Sequence, residues 1–414
     1  MKPLLARAVR SLRAIPLALA VLAASAQQPA PSASALRTAV DAAWQRAQEA
    51  AEAQGQVLRA EASRAAASSL LPAVPAIELS HRDERWLERA PGAGRETELA
   101  AALPLWMPGQ RAKRTAAAEA QTAMAQAAAA FSRWQIAGQV RELAWRVVGA
   151  RAELRQAQAQ RDMLERLAAD VDRRVQAGDL ARSDALAARA EALSAVASVR
   201  DAQLRLTELE RQWVVLAGMP APAAEQLDEP VPVSAAGTGS HPHLQLAERQ
   251  VEHAQRQQAA VAADRRDPPE LLLRYRQEAG GVDSQARNSV GVGVRIPLGG
   301  DVRNRPLEAA ASSTLLVAQR QLEVVRAQVD ATLKQAEDAH VAALERLAAD
   351  RQRHALVSER AALVQRAFNA GDHSLPELLR ALAASAAAQA DLERSQAALG
   401  LARARLLQAQ GITP

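Results

Sequence analysis

Two carboxylates hold equivalent places in this chain of 414 residues. Asp184 and Glu377 each stand six residues beyond the glycine of an Ala-Gly-Asp triplet, Ala177-Gly178-Asp179 and Ala370-Gly371-Asp372, and 377 − 184 = 193. An acid just past a turn, at the start of a helix, gains about 0.3–1 kcal/mol from the helix N-terminus. The second triplet continues as His373-Ser374 and carries Arg380 one turn beyond Glu377, where the first continues as Leu180-Ala181. Other chemistry is sparse. Of the seven histidines, only His241-Pro242-His243 form a close pair, without an obvious third ligand, and His340 and His354 are too far apart to share an ion. There is no HExxH, paired-cysteine or calcium-loop pattern, and Gly291-Val292-Gly293 is too short for a dinucleotide fingerprint. With no nucleophile–base constellation either, neither enzyme activity nor a metal site nor a cofactor is expected.

The elements that position these acids are themselves repeated. Pro104 and Pro297, Gly178 and Gly371, and Gly218 and Gly411 are all separated by the same 193 residues (297 − 104, 371 − 178, 411 − 218). So long a period means two copies of one supersecondary block, not a solenoid of 20–50-residue repeats. Within the block, Leu143, Val147, Ala150, Leu154, Ala157, Arg161, Leu164, Ala168, Val171 and Val175 step by four and three, the seam of a coiled coil. Residues 111–175 contain no proline and form one helix about 100 Å long at ~1.5 Å per residue. Leu322, Val325, Val329, Leu333, Ala336, His340, Leu344 and Leu347 mark its counterpart over 305–370. Each long helix stops at the glycine of its Ala-Gly-Asp turn, which can take the left-handed conformation of a C-cap. A return helix follows, over 182–216 and 376–409.

Before each long helix the period changes to two. Val290, Val292, Val294, Ile296 and Leu298 alternate with small or polar residues, as do Leu271, Leu273 and Tyr275, Ile77 and Leu79, and Thr97, Leu99, Ala101, Leu103 and Leu105. Four strands result, at about 73–82, 96–106, 270–278 and 288–298. Apolar-out, polar-in strands of about ten residues are the pattern of an outer-membrane barrel, with Val290, Val292, Val294 and Ile296 facing lipid. Trp86, Trp106 and Tyr275 are the candidate interfacial anchors. The block therefore reads helix, strand, strand, long helix, long helix. Its copies occupy 27–219 and 242–414, opening with helices at 34–69 and 242–263, and a Pro/Gly/Ser-rich linker at 220–241 joins them.

Residues 1–26 have the basic start, short apolar stretch and Ala24-Ser25-Ala26 site of a secretory signal peptide. There is no cysteine, hence no disulfide and no lipid-anchored cysteine. The chain has 51 basic and 46 acidic side chains; the leader holds four of the bases, leaving 47 against 46 (51 − 4). Near-neutral, interspersed charge excludes nucleic-acid binding and describes solvated helix faces. Aromatics make up only 2% of the chain, and alanine dominates.

Four strands do not close a barrel, and an open edge in lipid leaves backbone groups unsatisfied at several kcal/mol each. Even strand counts from eight upward and closed cyclic symmetry point to identical subunits completing the sheet. The duplicated block, the Ala-Gly-Asp turns and the run Ile296-Pro297-Leu298-Gly299-Gly300 resemble the TolC family of outer-membrane efflux proteins over essentially the whole mature length. The run Leu103-Pro104-Leu105-Trp106-Met107-Pro108-Gly109-Gln110-Arg111 is most similar to members serving cobalt–zinc–cadmium-type exporters.

The resemblance implies a mainly α trimer with a small membrane β part: a 12-strand β-barrel on a 12-helix tunnel, spanning a Gram-negative outer membrane. It further implies docking to a periplasmic adaptor and through it to an inner-membrane pump, for efflux of heavy-metal cations or, alternatively, a channel of the same architecture for drug and small-molecule efflux or for secretion. Gly178, Asp179, Leu180, Gly371, Asp372, His373 and Ser374 would then be docking and gating tips. Asp184 and Glu377 would line the entrance, with three Glu377 carboxylates concentrating cations, Arg380 blunting that field, and a His373–Asp184 latch responding to pH. A periplasmic adaptor is the rival class, but it would need a β-rich domain flanking a single hairpin. A fibrous coiled coil is a second rival, and it has no place for period-two strands.

Overall fold

Alanine favours helix strongly, and in this chain helix runs far, through Gly138 and Gly149 in one long segment and Pro306 in another. The computed structural model describes residues 35–83, 94–227, 229, 241–279 and 285–414, all within one unit, Ser34–Pro414. The expected leader, the loop that holds Trp86, Gly280-Gly281 and most of the expected linker lie outside the described residues. The first half consists of α1 (Ala35–Arg46), α2 (Gln48–Ala67), β1 (Ala76–Asp83), β2 (Arg95–Pro104), α3 (Gln110–Ala177) and α4 (Arg182–Ala217). The second consists of α5 (Pro242–Ala263), β3 (Glu270–Ala279), β4 (Arg287–Arg295), α6 (Asp301–Ala370) and α7 (Leu375–Ala409). The fold is mostly helical with one four-stranded antiparallel sheet. The opening helix, read as continuous, breaks at Ala47, whose backbone is extended. No helix among the described residues is long and apolar enough to cross a membrane.

At 68 and 70 residues, α3 and α6 are each about 100 Å long at ~1.5 Å per residue. Near the sheet α3 packs against α2 and α5; towards the hairpin turns it packs against α4 and α7, while α6 packs on α5 and then α7. A layer of four helices results, α2–α3–α5–α6 at one end and α4–α3–α7–α6 at the other. Its core is largely alanine, including Ala137, Ala144, Ala188 and Ala388, with Val140, Val147 and the fully buried Trp213 filling the wider gaps. Small side chains let backbones approach closely and bury apolar surface at little cost in side-chain entropy. Seven of the ten seam positions on α3 are buried: Leu143, Val147, Ala150, Ala157, Leu164, Ala168 and Val171. On α6, Val325, Val329, Ala336 and Leu347 are buried, but Leu344 is exposed.

Where α7 ends and α5 begins, a polar knot holds the layer. The buried Arg141 of α3 donates to Glu229 at 2.6 Å, to Gln408 Oε1 at 2.6 Å and to the Ile412 carbonyl at 2.7 Å. Burial lowers the Arg141 pKa, and the Glu229 carboxylate opposes that shift. Trp134 and Gln408 exchange side-chain-to-backbone hydrogen bonds at 3.1 and 2.7 Å. His241 caps α5, its Nδ1 accepting the His243 N–H at 3.2 Å while its ring meets the edge of Trp134.

Burial, and then the neighbouring His243, push the His241 pKa down from 6.5 to about 4. The neutral cap therefore contributes its full stability above about pH 6.5 and loses it as pH falls towards 4. The unfolding temperature of His241→Asn, which keeps a capping acceptor that does not titrate, should fall less than that of the parent between pH 6.5 and 4. Parallel slopes by circular dichroism would contradict this.

Candidate functional site

Both hairpin turns are Schellman motifs built on a left-handed glycine. Gly178 (φ 89°) donates to the Val175 carbonyl and Asp179 to that of Arg174; Gly371 (φ 86°) donates to Phe368 and Asp372 to Ala367. Gly178, Asp179, Gly371, Asp372, His373 and Ser374 are all exposed at these turns. Leu180 instead packs against the cluster beneath, where Val171, Phe368, Leu375 and Leu378 are buried.

The equivalent acids Asp184 and Glu377 do different work. Asp184 reaches back to the Ala181 N–H at 3.3 Å, as an N3 acid does in a capping box. Glu377, one methylene longer, hydrogen-bonds His373 Nδ1 at 2.9 Å on its own turn. That bond, together with Arg380 and Arg360 nearby, holds the Glu377 carboxyl below its ordinary range. His373 thus has Glu377 rather than Asp184 as its partner. The reason is local, since His373 stands in the turn just before α7 and lies against the acid of that helix's first turn.

One tip contact escaped the sequence reading. Arg174 of α3 lies over the Phe368 ring at 5.0 Å and donates to Asn369 at 3.4 Å, joining one hairpin to the other. The available signal was that Phe368 is one of only two phenylalanines in the chain.

The sheet has two unlike faces. Its order is β1-β2-β3-β4, and the β2–β3 pairing joins the two halves. Register puts Leu79, Leu99, Tyr275 and Val290 in one row, with Ile77, Ala101, Leu273 and Val292 in the next on the same face. Val290 and Val292 are 79% and 71% exposed and Val294 is exposed as well, so the apolar face is uncovered; Ile296, also exposed, lies just past the end of β4 at Arg295. The opposite face carries ion pairs across strands, Arg276–Glu96 at 2.8 Å, Arg274–Glu98 at 3.5 Å and Arg295–Glu270 at 3.0 Å. β1 and β4 each pair on one side only.

Trp106 is not a free interfacial anchor. Its Nε1 donates to the Ser69 carbonyl at 3.1 Å, and Arg114, ion-paired with Asp264, lies over its ring at 5.5 Å. It locks the joint between strands and helices, which Gln110 also holds through Asp264 at 2.7 Å. Tyr275 stands half-exposed on the apolar face.

Solved structures share this architecture. The chain matches the outer membrane protein VceC of Vibrio cholerae with a TM-score of 0.72 at 16% identity, over 91% of this chain and 96% of that one. It matches the Campylobacter jejuni CmeC outer membrane channel with a TM-score of 0.71 at 13% identity, over 91% and 85%. The Neisseria gonorrhoeae MtrE outer membrane channel, solved in its open state, gives 0.72 at 16% identity, over 91% and 89%. No protein-family model and no curated protein matches the sequence. The chain has the fold of the TolC-type outer-membrane channels.

Forcing a Cβ into the left-handed region costs about 1–2 kcal/mol. Gly178→Ala and Gly371→Ala should therefore speed amide exchange about tenfold at their own turns, leaving the α3 core around Val140 unchanged. Exchange mass spectrometry that finds both turns as protected as before would refute the assigned strain.

Proposed function

We propose that this chain is the outer-membrane channel of a tripartite efflux system. It would act as a passive exit duct, as a homotrimer whose sheet crosses the outer membrane and whose helices extend into the periplasm. The observation that carries this reading is the sheet, with one uncovered apolar face, one charged face and two unpaired edges, on a fold shared with outer-membrane channels. A face such as that of Val290, Val292 and Val294 is stable against lipid, and unpaired strand edges in lipid require a neighbouring chain. Three copies would supply twelve strands.

The helical edges support the same closure. On α4, Leu186 and Leu193 lie 8 and 15 residues past Gly178 (186 − 178, 193 − 178). On α6, Leu363 and Leu356 lie 8 and 15 residues before Gly371 (371 − 363, 371 − 356). All four are between 52% and 70% exposed. Two helices at opposite margins of the layer thus carry apolar rungs at equal heights, about 12 and 22 Å above the turns at ~1.5 Å per residue. Rotation about an axis parallel to the helices sets α4 of one copy on α6 of the next, the head-to-tail contact that closes a ring. The exposed turns at Gly178–Asp179 and Gly371–Ser374 would then face the periplasm together, where an adaptor linked to an inner-membrane pump docks.

Two cargo classes compete. Heavy-metal cations are favoured by the resemblance of residues 103–111 to metal-exporter channels. Organic small molecules are favoured by the surroundings of Glu377, whose charge is offset by His373, Arg380 and Arg360 within its own chain.

Leu356→Asp should reduce trimer to monomer on cross-linking and native mass measurement, since it puts a charge at an apolar rung. A monomeric parent protein, or one recovered outside the outer membrane on fractionation, would overturn the channel reading. Deleting the gene should raise retention of one cargo class. Cell-associated zinc, cobalt and cadmium rising alone supports metal efflux, and dye retention with unchanged metal supports organic cargo.

A further inference from the structure

The charged face of the sheet is balanced. By strand alternation and register it carries Arg82, Arg274, Arg276, Arg287 and Arg295. On the same face stand Glu78, Glu96, Glu98, Glu270 and Glu278. The charges interlock. Arg276 bridges Glu96 at 2.8 Å and Glu278 at 2.7 Å, and Arg82 reaches Glu96 from β1 at 4.0 Å. Arg274 pairs with Glu98 and Arg295 with Glu270. Glu78 on β1 and Arg287 on β4 make no ion pair among the described residues; they are opposite in sign and stand on the two open edges.

A charge ring selects ions only when like charges are left uncompensated and focus one sign of potential into the pore. Opposite charges about 3 Å apart act as dipoles, whose field decays within a few ångströms and is screened further by salt. We infer that the inner wall of the barrel is a net-neutral lattice of ion pairs that prefers neither cations nor anions, so that solutes of either sign and uncharged solutes pass it alike. This rests on the channel reading above and assigns to these residues the absence of charge selection in the membrane part of the duct.

The test uses the full-length protein in a planar lipid bilayer under a potassium chloride gradient, with the reversal potential as readout. The parent should show a potassium-to-chloride permeability ratio within about twofold of unity. Arg276→Gln, which removes the cation shared by Glu96 and Glu278 and leaves the face with one net negative charge per chain, should raise that ratio at least ~3-fold. Glu96→Gln should lower it, and Arg276→Lys should leave it unchanged. A ratio that neither neutralising substitution moves overturns the inference while leaving the channel intact. No conductance from any variant overturns the channel reading itself, and this inference with it.

Discussion

The close packing of alanine along α3 is the constraint from which the rest follows. This helix alone touches α2 and α5 at the sheet end and α4 and α7 at the turn end, so it carries the register of both halves of the layer. Its buried face is mainly Ala, Val and Leu, broken by Arg141, whose guanidinium is held by Glu229, Gln408 and the Ile412 carbonyl. Removing one partner of such a buried pair costs about 3–5 kcal/mol, so the knot fixes where α7 stops and α5 starts. Because α7 and α5 follow one another between α3 and α6, that junction decides whether the four-helix layer is continuous.

The second constraint is backbone satisfaction at the sheet. Ten residue pairs between β2 and β3 bind the two copies of the repeat into one sheet, and the outer strands are left with unpaired edges. The apolar margins of α4 and α6 repeat that incompleteness in the helical part. Among the described residues, sheet and helices thus expose unpaired or apolar surface at the same two margins, the surfaces that the proposed head-to-tail ring would cover.

The two halves of the chain differ where side-chain chemistry is involved and are alike where backbone geometry is involved. Gly178 and Gly371 close the same motif with the same left-handed backbone, which glycine takes without the strain that a Cβ brings. Asp184 and Glu377 have separated into a helix cap and a side-chain pair with His373. The two turns are therefore alike in backbone shape but differ in the side-chain contacts they make.

The sequence by itself determined the local rules: helices that run until Gly178 and Gly371, strands whose alternation sorts Val290 from Gly291, and a repeat of 193 residues. These are legible because helix period, strand period and positive φ are properties of near neighbours. Only the tertiary structure decided which residues meet across long separations: β2 beside β3, Arg174 over Phe368, and Arg114 on both Trp106 and Asp264. In a chain where nearly every helix face offers alanine, apolar pattern does not distinguish one helical neighbour from another. The choice of partner falls to a few large or charged side chains, whose contacts exist only once the layer is assembled.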